Sequence, residues 1–158
     1  MTLSRFTGTV EYLADVDVRA AQEWVAGIDY AEWPNYVPDA PWQGFVKDEQ
    51  WHGFLDVVSS IIWELHEHLP SRMVNNLLLS AVAPGYTIPP HTDEQGERWL
   101  CRVHVPLVVS EDSRFEVGGE AHRMEVGKAY RVNTEVEHSV TNDGTTPRIH
   151  FMFDVLEA

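Results

Sequence analysis

Hydrophobic and polar positions follow two different periods in the two halves of this chain. Residues 6–14, FTGTVEYLA, carry β-branched and aromatic residues and read as a short strand. Asp15-Val16-Asp17 then offers a helix N-cap, VRAAQEWVAGI follows with apolar residues near helical spacing, and Gly27 fits its end. Residues 28–46 read as an irregular, aromatic cover over the core, with Pro34, Pro38, Pro41 and five aromatic side chains. A second helix is predicted from Asp48 to about residue 68. Trp51, Phe54, Leu55, Val58, Ile61, Ile62 and Leu65 recur there at three- and four-residue steps, and Pro70 stops it. From residue 71 the period shortens to two. MVNNLLLSAVA, YTIPPHTD, LCRVHVPLVV, SRFEVGG, AHRMEV, GKAYRVN, EHSVTN and PRIHFMFDV read as eight strands. Turn signals divide them: Pro84-Gly85, Gly118-Gly119 and Asn142-Asp143-Gly144. Eight closely spaced strands predict a sandwich or barrel, and the double-stranded β-helix, the jelly-roll form, fits the count. The expected fold is mainly β with N-terminal helices on a cupin-like core. The expected organisation is a single domain over 1–158, in which 1–70 packs on a barrel formed by 71–158.

Composition narrows the partners. The chain has 158 residues, 44% of them hydrophobic, which is enough for one packed core. Twenty-five acidic against eleven basic residues give a formal net charge of −14. That balance argues against nucleic acid and anionic membrane surfaces. It also makes a basic residue on a core strand informative. The single cysteine, Cys101, rules out an internal disulfide and fits a reducing compartment. No basic segment leads into an apolar run at the start, and no apolar run approaches 18 residues. A cytoplasmic location is the expectation.

The candidate chemistry lies in the β half. His91 and Asp93 are two residues apart, and in extended chain such residues point to one face. His138, in VEHSVTN, supplies a second imidazole from a separate strand. Two neutral histidines and one carboxylate leave adjacent open positions, the ligand set of non-heme Fe(II) oxygenases. Open positions of that kind accept a bidentate 2-oxo acid and dioxygen. Arg148, between apolar residues in PRIHF, is a candidate anchor for an acidic cosubstrate, because its fork matches a carboxylate and it needs an anion if buried. The bland alternatives are a hydrogen-bonded loop histidine at 91, a solvent-facing histidine at 138 and an internal salt bridge at 148. His66 and His68 sit on the predicted helix, where two-residue spacing makes them diverge, and are expected at the surface. His122 is expected to be exposed and His150 structural, and Cys101 has no base or partner cysteine nearby.

A more specific pattern joins these residues. Ser80, Pro84-Gly85, His91, Arg102-Val103-His104, His138 and Arg148 together resemble the aspartyl/asparaginyl β-hydroxylase family of Fe(II)- and 2-oxoglutarate-dependent oxygenases, over roughly residues 72–155. The resemblance implies iron bound by His91 and His138, and 2-oxoglutarate bound by Ser80, Arg102, His104 and Arg148. It implies hydroxylation of a C–H bond of an amino acid or amino-acid side chain, with release of succinate and carbon dioxide. Peptidyl members of the family have glycine where this chain has Asp93, whereas small-molecule members similar to proline 3-hydroxylases keep the HxD. Asp93 therefore sides with the second pattern as a third iron ligand. Arg98, Arg114 and Arg123 remain as cations for an acidic substrate, small molecule or peptide. The competing readings are a cupin-like module that binds a metal and a small acid without turnover, and a metal-free structural barrel.

Overall fold

A computed structural model describes residues 4–27, 35–37, 40–46 and 53–158; side chains within 35–46 are outside the description. Eleven strands and two helices follow in the order β1 (Val10–Asp15), α1 (Arg19–Ala26), β2 (Asn35–Val37), β3 (Ala40–Val46), α2 (Phe54–Leu65), β4 (Met73–Val82), β5 (Thr87–His91), β6 (Trp99–Val108), β7 (Ser113–Val117), β8 (Glu120–His122), β9 (Lys128–Val132), β10 (His138–Asn142) and β11 (Arg148–Leu156). Every strand pair is antiparallel. A seven-stranded sheet runs β1-β9-β6-β11-β4-β3-β2, and a four-stranded sheet runs β5-β10-β7-β8. The two sheets form the double-stranded β-helix core, and all eight strands predicted from the period-two region are present.

The alternation along β11 shows how the sequence builds two separate interiors. Ile149, Phe151, Phe153 and Val155 pack into a core that includes Ala21 and Val25 of α1 and Phe54, Val58, Ile61 and Leu65 of α2. Arg148, Met152 and Asp154, at the intervening positions, line a cavity between the sheets. On β6 the same rule separates Cys101, Val103, Val105 and Leu107 from Arg102 and His104. The helices thus cover the back of the large sheet. Val82, Ile88, Phe115, Val117, Tyr130, Val132 and Val140 form a smaller apolar cluster between the sheets.

Several predicted boundaries move. The first strand begins at Val10 rather than residue 6. Val18 precedes α1 without a side-chain cap, although the Asp17 carboxylate accepts the Arg19 N–H at 3.1 Å. Segment 28–46 is not wholly irregular: β2 and β3 extend the large sheet beyond β4, despite the prolines, while the aromatic cover itself lies largely outside the described residues. Helix α2 runs Phe54–Leu65 after Gly53 at φ 82°, with His66–His68 forming a 3-10 turn, while the start expected at Asp48 lies outside the described residues. The strand expected from Ala121 to Val126 stops at His122. Gly118 and Gly119 both take positive φ, 62° and 80°, as a tight β7–β8 hairpin requires. Among the described residues no helix is long and apolar enough to cross a membrane.

Candidate metal and anion site

Strand pairing brings the two histidines together. β5 and β10 are hydrogen-bonded neighbours, and His91 stands opposite His138 in their register. Their ring centroids are 4.3 Å apart. Asp93 lies just past the end of β5, where its N–H donates to the Thr134 carbonyl at 2.9 Å. The Gln95 side-chain amide donates to the Thr134 hydroxyl at 2.9 Å and secures the same loop. Chain pinned in this way returns the Asp93 carboxylate to the histidines. His91 Nε2 is 3.7 Å from Asp93 Oδ1, and His138 Nε2 is 3.7 Å from Asp93 Oδ2.

Each imidazole is oriented by its own backbone. His91 Nδ1 bonds the Pro89 carbonyl and His138 Nδ1 bonds the Val136 carbonyl, both at 2.8 Å and both two residues upstream. A carbonyl only accepts, so each Nδ1 carries the proton and each Nε2 presents a lone pair. Burial is the main influence holding His138 below the usual histidine range, only partly offset by the Val136 bond. The three potential ligand atoms lie within 4.8 Å of one another. Ligands about 2.1 Å from one ion sit up to about 4 Å apart, so small side-chain rotations would complete the set. Two imidazole lone pairs and one carboxylate, with their tautomers held from behind, fit a divalent transition metal.

The site belongs to a cavity of about 570 Å³. All seven residues singled out from the sequence line it: Ser80, His91, Asp93, Arg102, His104, His138 and Arg148. Their partners divide the two arginines sharply. Arg102 is tied to carboxylates on both sides. Nε and an Nη reach Asp154 at 2.8 and 3.0 Å, and the other Nη reaches Asp93 Oδ2 at 2.9 Å. Burial alone would lower its pKa, but Asp154 and Asp93 outweigh that and raise it.

Arg148 is 3% exposed, and among the described residues it makes no ion pair, so the internal salt bridge weighed for it is not found there. Among the described residues its one hydrogen bond runs from an Nη to His150 Nδ1 at 3.0 Å. Burial alone pulls its pKa down to about 9, which leaves a cation at neutral pH. His104 Nδ1 also meets His150 Nδ1, at 3.1 Å. Because arginine can only donate, His150 Nδ1 is the acceptor and His104 Nδ1 carries the proton. Burial first, and the Arg148 charge second, push both histidines well below the usual range, so both are neutral.

Three further residues complete the machinery, and the sequence reading did not name them. Asp154 holds Arg102 and also accepts the Trp99 indole N–H at 3.1 Å. Asn76 donates to Asp154 at 3.0 Å from a left-handed position, φ 50°, beside an irregularity in the β4–β11 ladder. Thr134 anchors the Asp93 loop. Asp154 had a signal: it continues the inward series Arg148, His150, Met152. A charged residue on that face of an apolar strand needs a partner.

The remaining candidates lie elsewhere. Arg98 is on the surface, where it donates to the Glu157 carbonyl, and Arg114 and Arg123 line a different cavity. His66 is half-buried and stacks on Trp63, 4.7 Å between centroids, while His68 is exposed. His122 is half-buried rather than exposed. Cys101 is buried, with its thiol pushed up to about 12 by burial.

Comparison with known proteins agrees with this architecture. A family model described as aspartyl/asparaginyl β-hydroxylase matches residues 39–158. A Pseudomonas putida prolyl-4-hydroxylase structure superposes with a TM-score of 0.63 at 15% identity, covering 96% of this chain and 94% of that one. A cupin domain from an Enterobacter cloacae XRE-family transcriptional regulator gives 0.47 at 12% identity, covering 74% and 99%. A Thermotoga maritima protein described as a predicted oxalate decarboxylase gives 0.43 at 13% identity, covering 72% and 80%. By sequence, no curated protein matches the chain.

Proposed function

The chain belongs to the aspartyl/asparaginyl β-hydroxylase family, and on that premise we propose that it is an Fe(II)- and 2-oxoglutarate-dependent dioxygenase that hydroxylates an amino acid or amino-acid side chain. Membership gives an oxygenase-type function; the metal, the cosubstrate and the substrate class are our reading. One observation carries it. Two tautomer-fixed histidines and a carboxylate converge at one end of a cavity whose floor holds a buried guanidinium with no counter-anion among the described residues.

Fe(II), when bound, supplies the redox chemistry that couples dioxygen and 2-oxoglutarate, released as succinate and carbon dioxide, to hydroxylation of a C–H bond. His91, His138 and Asp93 hold the metal through the two Nε2 atoms and a carboxylate oxygen. Arg148 binds the far carboxylate of 2-oxoglutarate, with Ser80 on the neighbouring strand β4, and its buried charge gains the anion it lacks. His104 and His150, both neutral, orient the Arg148 fork. Arg102 also borders the cavity, but with three nitrogens on carboxylates its role in our reading is to aim Asp93. The apolar walls Leu78, Ile88, Phe115, Val140 and Met152 exclude water around the reacting groups.

Protein loaded anaerobically with Fe(II) and 2-oxoglutarate, then given oxygen and a panel of free amino acids and peptides, should release succinate. Asp93→Ala should lower that release by about tenfold or more, as loss of a ligand demands. Arg148→Lys, which removes the bidentate fork, should raise the 2-oxoglutarate concentration for half-maximal release about tenfold. Metal and 2-oxoglutarate binding with no succinate across the panel would move the protein to the non-catalytic, cupin-like alternative.

A further inference from the structure

A second cavity, of about 270 Å³, shares Arg148 with the first. Arg148 and Phe115 line both cavities, so they form the wall between them. The guanidinium carbon stands 5.5 Å from the Phe115 ring centroid, and His150, its hydrogen-bond partner, faces the second cavity.

The charge of this second cavity is opposite to that of the chain. The protein carries −14 overall, yet three of its nine arginines, Arg114, Arg123 and Arg148, line this one space, with Glu111 as the acid. None of the three is neutralised firmly. Arg114 approaches Asp143 only at 4.0 Å, with both side chains more than 60% exposed, a pairing worth little in water. Arg123 has no ion pair or hydrogen bond among the described residues, and Arg148 has no carboxylate. His122 also lines the cavity. Its Nε2 is shielded from solvent and lacks a hydrogen bond among the described residues, with Glu120 at 3.8 Å. Three arginines against one lining acid, around a concave space, are an arrangement that can recognise an oxyanion.

We propose that this second cavity binds a compact dianion, a phosphate or a short dicarboxylate, held by Arg114, Arg123 and His122 and by Arg148 from its floor, and that this ligand opposes anion binding in the first cavity. The opposition follows from sharing. One buried guanidinium neutralised from one side has less attraction for a second anion on the other, and the two anions repel through a wall of low dielectric. The opposition rests on the cosubstrate assignment to Arg148; the existence of the site does not. Such a site would let the anion content of the surroundings set the affinity for the cosubstrate.

Inorganic phosphate and malonate, each titrated calorimetrically into the metal-free protein, test it and separate the two anion types. Saturable binding of at least one is expected, weakened about tenfold or more in the Arg114→Ala/Arg123→Ala double variant. Both residues are exposed, so the variant should keep the wild-type melting temperature. Its 2-oxoglutarate affinity without added anion should equal wild type, and only in wild type should the bound anion raise the apparent 2-oxoglutarate Kd. Undiminished binding or undiminished competition in the double variant would place the anion in the first cavity and overturn the proposal, as would no saturable binding up to on the order of 10 mM. Binding lost in the variant without any effect on 2-oxoglutarate would remove the opposition and keep the site. Failure of 2-oxoglutarate to bind wild type at all would strike the cosubstrate assignment alone.

Discussion

At the scale of single residues, the decisive feature is which nitrogen carries a proton. Backbone carbonyls two residues upstream accept from Nδ1–H of His91 and His138, which keeps the proton on Nδ1 and leaves both Nε2 lone pairs free. Deeper in, burial keeps His104 and His150 neutral beside the charged Arg148. This neutrality has a pH consequence. Folded-state pKa values below the unfolded value mean that, under about pH 6.5, the unfolded chain binds protons the folded chain refuses. Stability is therefore fully present above about pH 6.5 and falls on acidification, by up to about 1.4 kcal/mol per pH unit for each buried histidine. Urea unfolding of the metal-free protein at pH 7.5, 6.5 and 5.5 checks this, and the slope should shrink in His104→Gln. A stability that holds or rises between pH 7.5 and 5.5 would refute the neutral pair. Asp154→Asn tests the other buried network. It weakens the grip on Arg102, loosens Asp93, and should lower Fe(II) affinity about tenfold to a hundredfold in an anaerobic metal titration. Unchanged affinity would mean that Asp93 is aimed by the Thr134 loop alone.

At the scale of elements, period two did nearly all the work that sequence could do. The core strands were legible because side chains alternate in facing along them, and in the large sheet β11 alternates between the helix-covered face and the cavity face through eight consecutive residues. The resemblance added Ser80, Arg102 and His104, and all line the cavity between the sheets. What stayed hidden has physical causes. β2 and β3 were masked by prolines and aromatics that read as loop. The start expected for α2 at Asp48 lies outside the described residues, and the positive φ of Gly53 just before Phe54 is a break that local spacing cannot reveal. Asp154 is brought opposite Arg102 by the β6–β11 pairing, a long-range fact, while Asp93 reaches it from the loop after β5. The separation of the two interiors makes its own prediction. Phe54 is fully buried between Trp24 and Phe151, at centroid distances of 4.9 and 6.0 Å, on the face of the sheet away from the metal. Phe54→Ala should cost about 3–5 kcal/mol by denaturant unfolding, yet leave Fe(II) affinity unchanged at temperatures where the variant is folded. A parallel loss of metal affinity would show that the large sheet transmits packing changes across its thickness.

At the scale of the whole molecule, the fold sets a local field against a global one. A net charge of −14 repels an anion at a distance, whereas the cavity lining holds a buried cation, without a carboxylate among the described residues, that attracts it at contact. The two act over different ranges, so salt separates them. Screening shortens to about 8 Å at 0.15 M ionic strength, which weakens the long-range repulsion but reaches a buried charge far less. Association of 2-oxoglutarate should accordingly speed up as ionic strength rises from about 0.01 to 0.15 M, the reverse of the trend for an anion drawn by a basic surface. Tryptophan fluorescence in a stopped-flow mixer can follow it, with a bulky, weakly coordinating anion as the salt so that the arginines are not titrated directly. An association rate that falls with salt would mean that the approach to the cavity is electropositive and that Arg114 and Arg123, on the opposite side of the Arg148 wall, project their field around it. An acidic exterior would then discriminate against anions only where no arginine stands near, and the second cavity would act in recruitment rather than in opposition.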